Sequence, residues 1–349
     1  MPNPEPNSAW RLRRSPPAVA IVGATGAVGA ELLSILGQRD FPVRELRLLA
    51  SPRSAGKTLT FRDHDIGVEA LGDHSFDDID LALFSAGSGI ARDYAPIAVG
   101  AGAAVVDNSS AFRMNPGVPL VVPEINAGEI VRHDGIISVP NCAAIIAITP
   151  LWPIHRKNRI RRMILSTYQA ASGAGAAAMH ELEAATRAYL AGDNFTPRVL
   201  PHPYAFNLFS HDTAIDGATG YNGEETKVIN ETRKIFGDEA IRVGVTCVRV
   251  PVLRAHAAAV TIECERPIDP VEARALIAHA PGVRLVDDPA RNHFPMPCEA
   301  SGSDEILVGR IRRDLSDPSG HSLCLFVAGD QLRKGAALNA IQIAERLLP

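Results

Sequence analysis

Cys142 has the clearest chemical potential of any residue in this chain. It follows the extended segment Val139-Pro140-Asn141 and opens an apolar run with helical character. A thiol at the N-terminus of a helix feels the positive end of the helix dipole, which favours the thiolate. Because a thiolate attacks carbonyl carbon, Cys142 is a candidate nucleophile. The alternative is structural, since a single buried cysteine is more often a small core residue.

Polar residues that could assist a thiolate stand in five otherwise apolar or glycine-rich segments. These are Asp107–Arg113, Tyr168–Gly175, Glu224–Lys227, Val248–His256 and Gly329–Asn339. The fourth segment is predicted as one strand-like run that carries both an arginine and a histidine. Each polar residue also has a structural reading, such as a satisfied core histidine or an exposed Glu–Lys pair on a helix. No group of His, Cys and Asp has metal-ligand spacing, so no metal site is predicted.

The N-terminal half has the pattern of a dinucleotide-binding fold. The apolar strand Ala18–Val22 leads into the glycine turn Gly23–Gly29, and a helix is predicted over 30–36, ending at Gly37. This order lets backbone N–H groups approach a pyrophosphate at a helix N-terminus. The spacing is G-x-x-G-x-x-G rather than G-x-G-x-x-G, and the alternative is a tight βα turn without a ligand.

The end of the next predicted strand, Leu46–Ala50, indicates which dinucleotide binds. NAD-preferring sites usually place Asp or Glu there, to bind the ribose 2′-hydroxyl. This chain has Ser51-Pro52-Arg53-Ser54 instead. An arginine and two hydroxyl groups suit a 2′-phosphate, which predicts NADP. The alternative is a solvated basic loop.

The remaining pattern divides the chain into two kinds of fold. In the first half, strands are predicted over 80–85, 103–106 and 136–139, with a helix near 91–99, in βαβ order. In the second half, strands are predicted over 162–168, 243–265, 306–313 and 321–327, and helices over 176–191, 223–235 and 270–280. Long strands with helices grouped between them indicate an α+β domain on a mostly antiparallel sheet. An amphipathic helix is predicted over 332–348, and 191–222 is an irregular excursion that could serve as a dimer arm.

Length and composition bound the class of protein. A chain of 349 residues favours two domains, and a net charge of −4 argues against nucleic acid as a main partner. No apolar run reaches the length of a bilayer span. The first 16 residues are polar, which predicts a disordered tail rather than a signal peptide. Five cysteines without a Cys-x-x-Cys pair indicate a reducing compartment and a cytoplasmic protein.

In their order and spacing, the motifs resemble the bacterial type of aspartate-semialdehyde dehydrogenase from Ala18 to Leu348. They are GATGAVG, FSAGS, DNSSAFR, PNC, QAASGAG, CVRVPV followed by His256, ILVGRIRRD and LRKGAALNAIQIAE. The resemblance implies an α/β plus α+β fold. A Rossmann-like NADP-binding domain would span 17–141 and be joined by the C-terminal helix 331–349. A glyceraldehyde-3-phosphate-dehydrogenase-like catalytic and dimerisation domain would span 142–330. It also implies a homodimer or a dimer-based tetramer.

The implied activity is that of an oxidoreductase in amino-acid biosynthesis. NADPH would reduce L-aspartyl 4-phosphate to L-aspartate 4-semialdehyde and phosphate through a cysteine thioester. This step feeds the biosynthesis of diaminopimelate, lysine, threonine, methionine and isoleucine. Small-molecule substrates are therefore the expected partners, with neither nucleic acid nor membrane.

The resemblance also implies roles for single residues. Cys142 would form the thioester, His256 would be the general acid/base, and Gln169 would orient the substrate carbonyl. The substrate would also be bound by a carboxylate fork at Arg249, an ammonium partner at Glu224, phosphate partners at Arg113 and Lys227, and Asn141. The implied cofactor residues are Gly23, Thr25, Gly26, Ala27, Val28, Ser51, Arg53, Ser54, Ser85, Gly87, Ser172, Gly173 and Gln331.

Two departures from the family pattern define the alternatives. Relatives commonly carry Ser or Thr after the cysteine, where this chain has Ala143-Ala144, and Gln331 replaces an Asn. The alanines are the only support for a non-catalytic paralogue that keeps the fold as a cofactor-binding or interaction module. N-acetyl-glutamyl-phosphate reductase is the nearest catalytic alternative. Because its substrate has a blocked amino group, an ammonium partner such as Glu224 would have little purpose there.

Overall fold

The computed structural model describes residues 11–349, which belong to two compact units. The first unit consists of Met1–Pro140, of which 11–140 is described, and Ala336–Pro349; the second is Asn141–Gly335. The predicted domains, 17–141 with 331–349 and 142–330, differ from these limits by a few residues. Among residues 11–349, no helix has the length and apolar character needed to cross a membrane.

A seven-stranded sheet forms the centre of the first unit, in the order β3-β4-β2-β1-β5-β6-β7. Its strands are β1 Ala18–Val22, β2 Glu45–Ala50, β3 Thr58–Phe61, β4 His64–Ala70, β5 Leu81–Phe84, β6 Ala104–Asp107 and β7 Ile136–Ser138. All pairs are parallel except β3 with β4. Helices α1 Ala27–Gln38 and α2 Ser88–Gly100 follow β1 and β5, and α3 Pro123–Asn126 precedes β7. The residues of β1 and β5 are all buried, as expected of parallel strands covered on both faces.

The second unit contains another seven-stranded sheet, in the order β12-β13-β14-β11-β8-β10-β9. Its strands are β8 Ile160–Gln169, β9 Phe209–Ser210, β10 Arg242–Arg249, β11 His256–Cys264, β12 Val283–Leu285, β13 Ile306–Arg313 and β14 Ser322–Gly329. Its helices are α4 Cys142–Ile148, α5 Trp152–Lys157, α6 Ala176–Ala191, α7 Gly223–Phe236, α8 Pro270–Ala278 and α9 Pro297–Ala300. β8 is parallel to β10 and β12 to β13, whereas the other pairs are antiparallel. The prediction of a mostly antiparallel sheet is therefore confirmed.

The predicted strand over 243–265 is wrong, because the structure divides it into β10 and β11. Pro251 lies in the break and has no N–H for a ladder, and Ala255 has a φ of 72°. The two strands then pair with opposite edges of β8, one parallel and one antiparallel. Arg249 and His256 therefore lie in different strands, at the same end of the sheet.

The predicted C-terminal helix is present over nearly its full length, and from Ala336 onwards it belongs to the first unit. A π-helical turn covers Arg333–Ala337, and α10 covers Leu338–Leu347. The predicted apolar face is confirmed, since Ala340, Ile343 and Leu347 are fully buried.

The predicted disordered tail, 1–16, lies partly outside the described residues, which begin at Arg11. The described part contacts the first unit: Leu12 is buried, its N–H donates to the Leu347 carbonyl, and Arg14 pairs with Asp80 at 2.9 Å. The prediction of a disordered tail is therefore wrong for residues 11–16. The excursion 192–222 is irregular apart from β9 and an isolated bridge between Ile215 and Asn222.

Candidate active site

In the second unit, Cys142 is the first residue of α4. The Oδ1 atom of Asn141 accepts hydrogen bonds from the N–H groups of Ala143, at 3.0 Å, and Ala144, at 3.2 Å. This side chain caps the helix and fixes its start at the thiol. Gly335 lies against the cysteine, because a Cβ atom there would stand 2.9 Å from the Cys142 Cβ. The partly exposed thiol thus lies at a rigid, capped helix N-terminus, as the sequence predicts.

The carboxyl end of β8 brings Gln169 between Arg249 and His256. Arg249 is the register partner of Gln169 on one side, and Ala257, next to His256, is paired with Tyr168 on the other. All three side chains are buried. Residues that are about 80 positions apart in sequence therefore form one cluster, because two strands flank the same central strand.

The environment of His256 determines its protonation. Its Nδ1 atom accepts a hydrogen bond from the Ala170 N–H at 3.0 Å, so the neutral ring carries its proton on Nε2. Burial and the charge of Arg249 lower the pKa of His256 to about 3. Nε2 is buried and has no hydrogen-bond partner within the described residues. The imidazole therefore presents a neutral N–H donor.

Gln169 presents the complementary group. Its Nε2 donates to Glu224 Oε1 at 3.1 Å, whereas its Oε1 is buried and has no partner within 11–349. A carbonyl oxygen needs a donor, and the donor end of this amide is already bound. The available group is an acceptor, which suits an N–H or O–H of a ligand.

Glu224 connects the cluster to the cap of the cysteine helix. It lies in the first turn of α7 and accepts hydrogen bonds from Asn141 at 2.8 Å, Gln169 at 3.1 Å and Lys227 at 3.3 Å. Burial acts to raise the pKa of Glu224, but the charge of Lys227 and the hydrogen bonds from Asn141 and Gln169 keep it below its usual value. The carboxylate is therefore ionised and negative inside a buried network.

Two residues that the sequence analysis missed hold Arg249. Asp212 Oδ1 accepts from Arg249 Nε at 2.9 Å, and His211 Nε2 lies 3.0 Å from Arg249 Nη2. Both belong to the irregular segment before α7, where no periodicity marks a polar pair as functional. Their only signal is that two ionisable residues follow one another directly after β9.

The three cofactor residues predicted in the second unit adjoin this cluster. Gln331 donates to the Ser172 hydroxyl and accepts from the Ala255 N–H at 2.9 Å, so its amide is already bound within the unit. Gly173 lies beside the histidine, because a Cβ atom there would stand 2.9 Å from His256 Nε2. Any side chain at position 173 would therefore occupy the space in front of the unpaired N–H.

In the first unit, the glycine turn lies at the carboxyl ends of β1 and β5. A Cβ on Gly23 would stand 2.5 Å from the Ser85 carbonyl oxygen, and a Cβ on Gly29 would stand 2.2 Å from the Gly23 oxygen. Gly23 and Gly87 also have φ values of 88° and 85°, which favour glycine. The residues predicted to line this turn are Gly23, Thr25, Gly26, Ala27, Val28, Ser85 and Gly87, and the structure places them at these two strand ends. The small residues leave room for a pyrophosphate at the N-terminus of α1.

The short turn Pro52–Ser54 follows β2 in the same unit. Ser51 and Arg53 are exposed, and Ser54 is buried. Within 11–349 the Arg53 guanidinium has neither a hydrogen bond nor an ion pair, so it is available to an anion.

Arg113 also lies in the first unit, but its guanidinium is anchored. It donates to the carbonyl oxygens of Val139, at 2.9 Å, and Asn108, at 2.8 Å. Asp107 opens the same loop; burial raises its pKa, although two hydrogen bonds from Ser109 oppose the rise. The loop is thus a fixed polar structure at the end of β6.

The structure therefore gathers the predicted site residues into two groups. The first unit holds the glycine turn, the Pro52–Ser54 turn and Arg113, and the second holds the predicted catalytic residues, Asn141, Glu224, Lys227 and Arg249. No set of three or more His, Cys, Asp or Glu side chains within 11–349 is arranged to hold a metal ion.

A dinucleotide turn in one unit, and in the other a capped cysteine whose cap is joined through Glu224 to the buried Gln169, define a nucleotide-dependent aldehyde dehydrogenase. Residues 18–133 match the NAD binding domain of semialdehyde dehydrogenases, and 151–334 match their dimerisation domain. Among similar proteins are the aspartate-semialdehyde dehydrogenases of Synechocystis sp. and Aquifex aeolicus. They are 54% and 48% identical to this chain, over 96% and 95% of it and 98% and 97% of their own lengths.

A solved structure agrees with these sequence matches. Aspartate semialdehyde dehydrogenase II from Vibrio cholerae, complexed with ASA, superposes with a TM-score of 0.91 at 41% identity, covering 95% of this chain and 98% of that one. The chain belongs to the aspartate-semialdehyde dehydrogenase family. The predicted fold class, family and oxidoreductase activity are confirmed, and neither alternative is favoured. The first unit carries a nicotinamide-dinucleotide-binding domain and the second a dimerisation domain.

Proposed function

We propose that the protein reduces L-aspartyl 4-phosphate to L-aspartate 4-semialdehyde and phosphate, and that the reaction is reversible. One observation carries this proposal beyond the family match. Two buried polar atoms, His256 Nε2 and Gln169 Oε1, have no partner within the described residues. Gln169 is joined through Glu224 to Asn141, whose side chain caps the Cys142 helix. Buried donors and acceptors are nearly always paired, so this pair fits a ligand that supplies one acceptor and one donor.

The chemistry begins at Cys142. In the direction of aldehyde oxidation, its thiolate adds to the aldehyde carbon, and the carbonyl oxygen becomes negative. Loss of hydride then leaves a thioester, which phosphate cleaves to the acyl phosphate while the thiolate departs. The biosynthetic direction reverses these steps. When bound, the nicotinamide cofactor supplies the site that exchanges the hydride.

His256 acts on the oxygen that becomes negative. Its Nε2–H is a neutral donor aimed into the site, and hydrogen bonds to a developing oxyanion stabilise the transition state. The contact between Nδ1 and a backbone N–H disfavours the imidazolium. We therefore assign His256 the role of a fixed donor at the oxyanion, which narrows the general acid/base role implied by the family.

Gln169 and Glu224 form the ammonium side of the site. The unpaired Gln169 Oε1 is an acceptor, and the Glu224 carboxylate is ionised. An amino group with three N–H donors matches these two acceptors. Gln169 thus orients the substrate by binding the amino group of the substrate rather than its carbonyl group. Both polar atoms of Asn141 are engaged, so this residue positions Cys142 and Glu224 instead of binding substrate.

Charged groups of the second unit serve the anionic parts of the substrate. Arg249 serves the carboxylate, and Lys227 serves the phosphate. The Lys227 side chain is about one-third exposed and lies 3.3 Å from Glu224, so it can turn to an anion. In the first unit, Arg113 is held by carbonyl oxygens and offers a fixed positive charge.

We propose NADP as the preferred dinucleotide. The glycine turn leads into the N-terminus of α1, where backbone N–H groups suit a pyrophosphate. Glycine at positions 23 and 29 allows the backbone to pack closely there. The exposed Arg53 and the two serines beside it suit a 2′-phosphate, and the family pattern adds Ser172, Gly173 and Gln331 near the nicotinamide. Ala143 and Ala144 remove hydroxyl groups found in relatives, but both side chains are buried in α4 and remove none of these contacts.

The decisive experiment is a burst assay at limiting phosphate. L-aspartate 4-semialdehyde and NADP should release about one NADPH per active site rapidly, followed by slow turnover that phosphate accelerates. Phosphate-dependent turnover without a burst would exclude an accumulating thioester. Turnover of only the N-acetylated glutamate aldehyde would assign the protein to the reductase alternative.

We further propose that the second unit joins another copy of this chain, so that the protein is a homodimer or a dimer of dimers in the cytoplasm. Ile164, Ser166 and Thr246 project from one face of the second sheet and are exposed. Ile164 is 41% exposed in a strand centre, a position that a partner would cover. All five cysteines are free thiols, which fits a reducing compartment.

Replacing Ile164 with lysine tests this interface. We expect Ile164→Lys to shift sedimentation velocity towards the monomer. The control Val271→Lys, at a site 71% exposed on α8, should leave the dimer intact. An unchanged dimer in the Ile164 variant would contradict the proposed face.

A further inference from the structure

Asp212 and His211 both contact the guanidinium group of Arg249. Asp212 Oδ1 lies 2.9 Å from both Nε and Nη2 of the guanidinium, and His211 Nε2 lies 3.0 Å from Nη2. The Arg249 side chain is only 5% exposed. Of its five N–H groups, those on Nε and Nη2 are thus directed at residues of the same chain.

The remaining nitrogen, Nη1, has no hydrogen-bond partner within 11–349. Its direction is marked by Gly173, because a Cβ atom there would stand 3.5 Å from Arg249 Nη1 and 2.9 Å from His256 Nε2. Gly173 itself is exposed. The unpaired Nη1 and the unpaired imidazole N–H therefore lie on the same side of the cluster, next to Gly173.

The tautomer of His211 follows from its partner. Arginine only donates, so His211 Nε2 must accept, and the proton lies on Nδ1. Nδ1 stands 3.3 Å from the Thr213 hydroxyl oxygen, which accepts from the Glu224 N–H at 3.0 Å and donates to Asn222 at 3.4 Å. This chain of contacts joins Arg249 to the capped N-terminus of α7, where Glu224 begins.

We propose that Asp212 and His211 are positioning residues, which hold the Arg249 guanidinium so that its unpaired Nη1 side is turned to the substrate carboxylate. The family resemblance implies a bidentate fork at Arg249, and a fork through Nε and Nη2 would require Asp212 to leave. Because the same contacts reach Glu224, they also fix the separation of the carboxylate and ammonium subsites. The selectivity for a small 2-amino acid aldehyde then depends on two residues that touch no reacting atom. This inference rests on the proposed function.

The test compares two aldehydes that differ in one group. L-aspartate 4-semialdehyde carries the carboxylate, and 3-aminopropanal is the same molecule without it. For Asp212→Ala we expect KM for the semialdehyde to rise about 10- to 100-fold, the effect of losing a charge-assisted contact, with kcat within about threefold. Turnover of 3-aminopropanal should not change, which also shows that the variant is folded. Asp212→Asn keeps an oxygen acceptor and should rescue part of the loss.

His211→Phe should act in the same direction and to a smaller extent, since one neutral acceptor is lost. Asp193→Ala is the matched control, because Asp193 is an exposed acid of the same excursion. A second measurement is a double-mutant cycle with Arg249→Lys. If Asp212 acts through Arg249, Asp212→Ala should have little further effect in that background.

Four outcomes separate the hypotheses. Equal losses on both aldehydes, or full additivity in the cycle, would overturn the positioning role. An unchanged KM for the semialdehyde in Asp212→Ala would also overturn the positioning role. The proposed function would still hold in that case, provided that the wild-type protein turns over the semialdehyde normally. A wild-type protein that turns over neither aldehyde would overturn the proposed function, and this inference with it.

Discussion

The glycine turn of the first unit and the polar cluster of the second place a ligand by opposite means. In the turn, side chains are absent where backbone atoms approach, and a Cβ on Gly29 would stand 2.2 Å from the Gly23 oxygen. In the cluster, side chains hold one another, and Glu224 alone accepts from Asn141, Gln169 and Lys227. Adding an atom should therefore damage the first region, and removing a polar atom should damage the second.

The two regions should also differ in how strictly they select their ligand. Backbone N–H groups serve any pyrophosphate and distinguish dinucleotides poorly, so selectivity must come from a side chain outside the turn, such as Arg53. The interlocked cluster carries its own selectivity, because each unpaired atom has a fixed donor or acceptor character. The first region therefore provides affinity, and the second provides reaction and substrate choice.

The largest effect should follow the loss of one sulfur atom from the cluster. Cys142→Ser should lower kcat by about 10⁴-fold or more, because a serine hydroxyl does not ionise at neutral pH and the Nδ1 atom of His256 already accepts from the Ala170 N–H. NADP affinity, measured by fluorescence titration, should stay within about threefold. Cys298→Ser, at an exposed thiol, is the control and should keep full activity. Substantial activity in Cys142→Ser would exclude the thioester.

A single added methyl group should break the glycine turn. Gly29→Ala should lower the free energy of unfolding by about 3 kcal/mol and abolish NADP binding, because its Cβ would collide with backbone rather than with a movable side chain. Gly72→Ala is the control, since that glycine is extended and nothing lies within 4 Å of its Cβ position. Denaturant unfolding of both variants measures the difference. A stable, NADP-binding Gly29→Ala protein would show that the turn is not closely packed.

The sequence predicted the turn better than the cluster, and the reason is distance along the chain. Gly23–Gly29 and the start of α4 depend on neighbours within a few residues, so spacing alone indicated their geometry. His211 and Asp212 act only because β9 pairs with β10 and brings them to Arg249. No local pattern encodes that contact. The family resemblance could name Arg249 but not the residues that hold it.

The same reason explains the errors in the fold. The break between β10 and β11 was missed because valines on both sides of Pro251 continue a strand pattern, whereas pairing with opposite edges of β8 requires the chain to turn. The hairpin of β3 and β4 was missed because its apolar alternation is short, with Leu59 and Phe61 in one strand and Ile66 and Val68 in the other, and most of its residues are exposed. Leu12 is buried through a contact with the C-terminal segment, which no reading of the first 16 residues could reveal.

The selectivity for NADP over NAD should depend on Arg53, which lies outside the glycine turn. Arg53→Ala should weaken NADP binding about 10-fold and leave NAD binding unchanged, because only NADP carries the 2′-phosphate. Arg132→Ala removes another exposed arginine of the first unit, 72% exposed, and should affect neither dinucleotide. The ratio of kcat/KM values for the two cofactors is the measurement. An equal loss for NADP and NAD would mean that Arg53 acts on the fold or on the shared pyrophosphate.

The protonation of the cluster can be tested through the pH dependence of stability. Burial and Arg249 lower the pKa of His256 from 6.5 to about 3. Between these pH values the imidazole is protonated in the unfolded protein and neutral in the folded protein. Stability contributed by the neutral ring is therefore present above about pH 6.5 and falls as the pH decreases towards 3. The slope from this residue is at most about 1.4 kcal/mol per pH unit.

The variant His256→Gln lacks this titrating ring. Between pH 4 and 6, the free energy of unfolding of the variant should therefore depend less on pH than that of the wild type, by up to about 1.4 kcal/mol per pH unit. His279→Gln, at an exposed histidine, should retain the wild-type slope. Equal slopes in wild type and His256→Gln would mean that the ring takes up a proton in the folded protein, and an imidazolium would then replace the neutral donor proposed for the oxyanion.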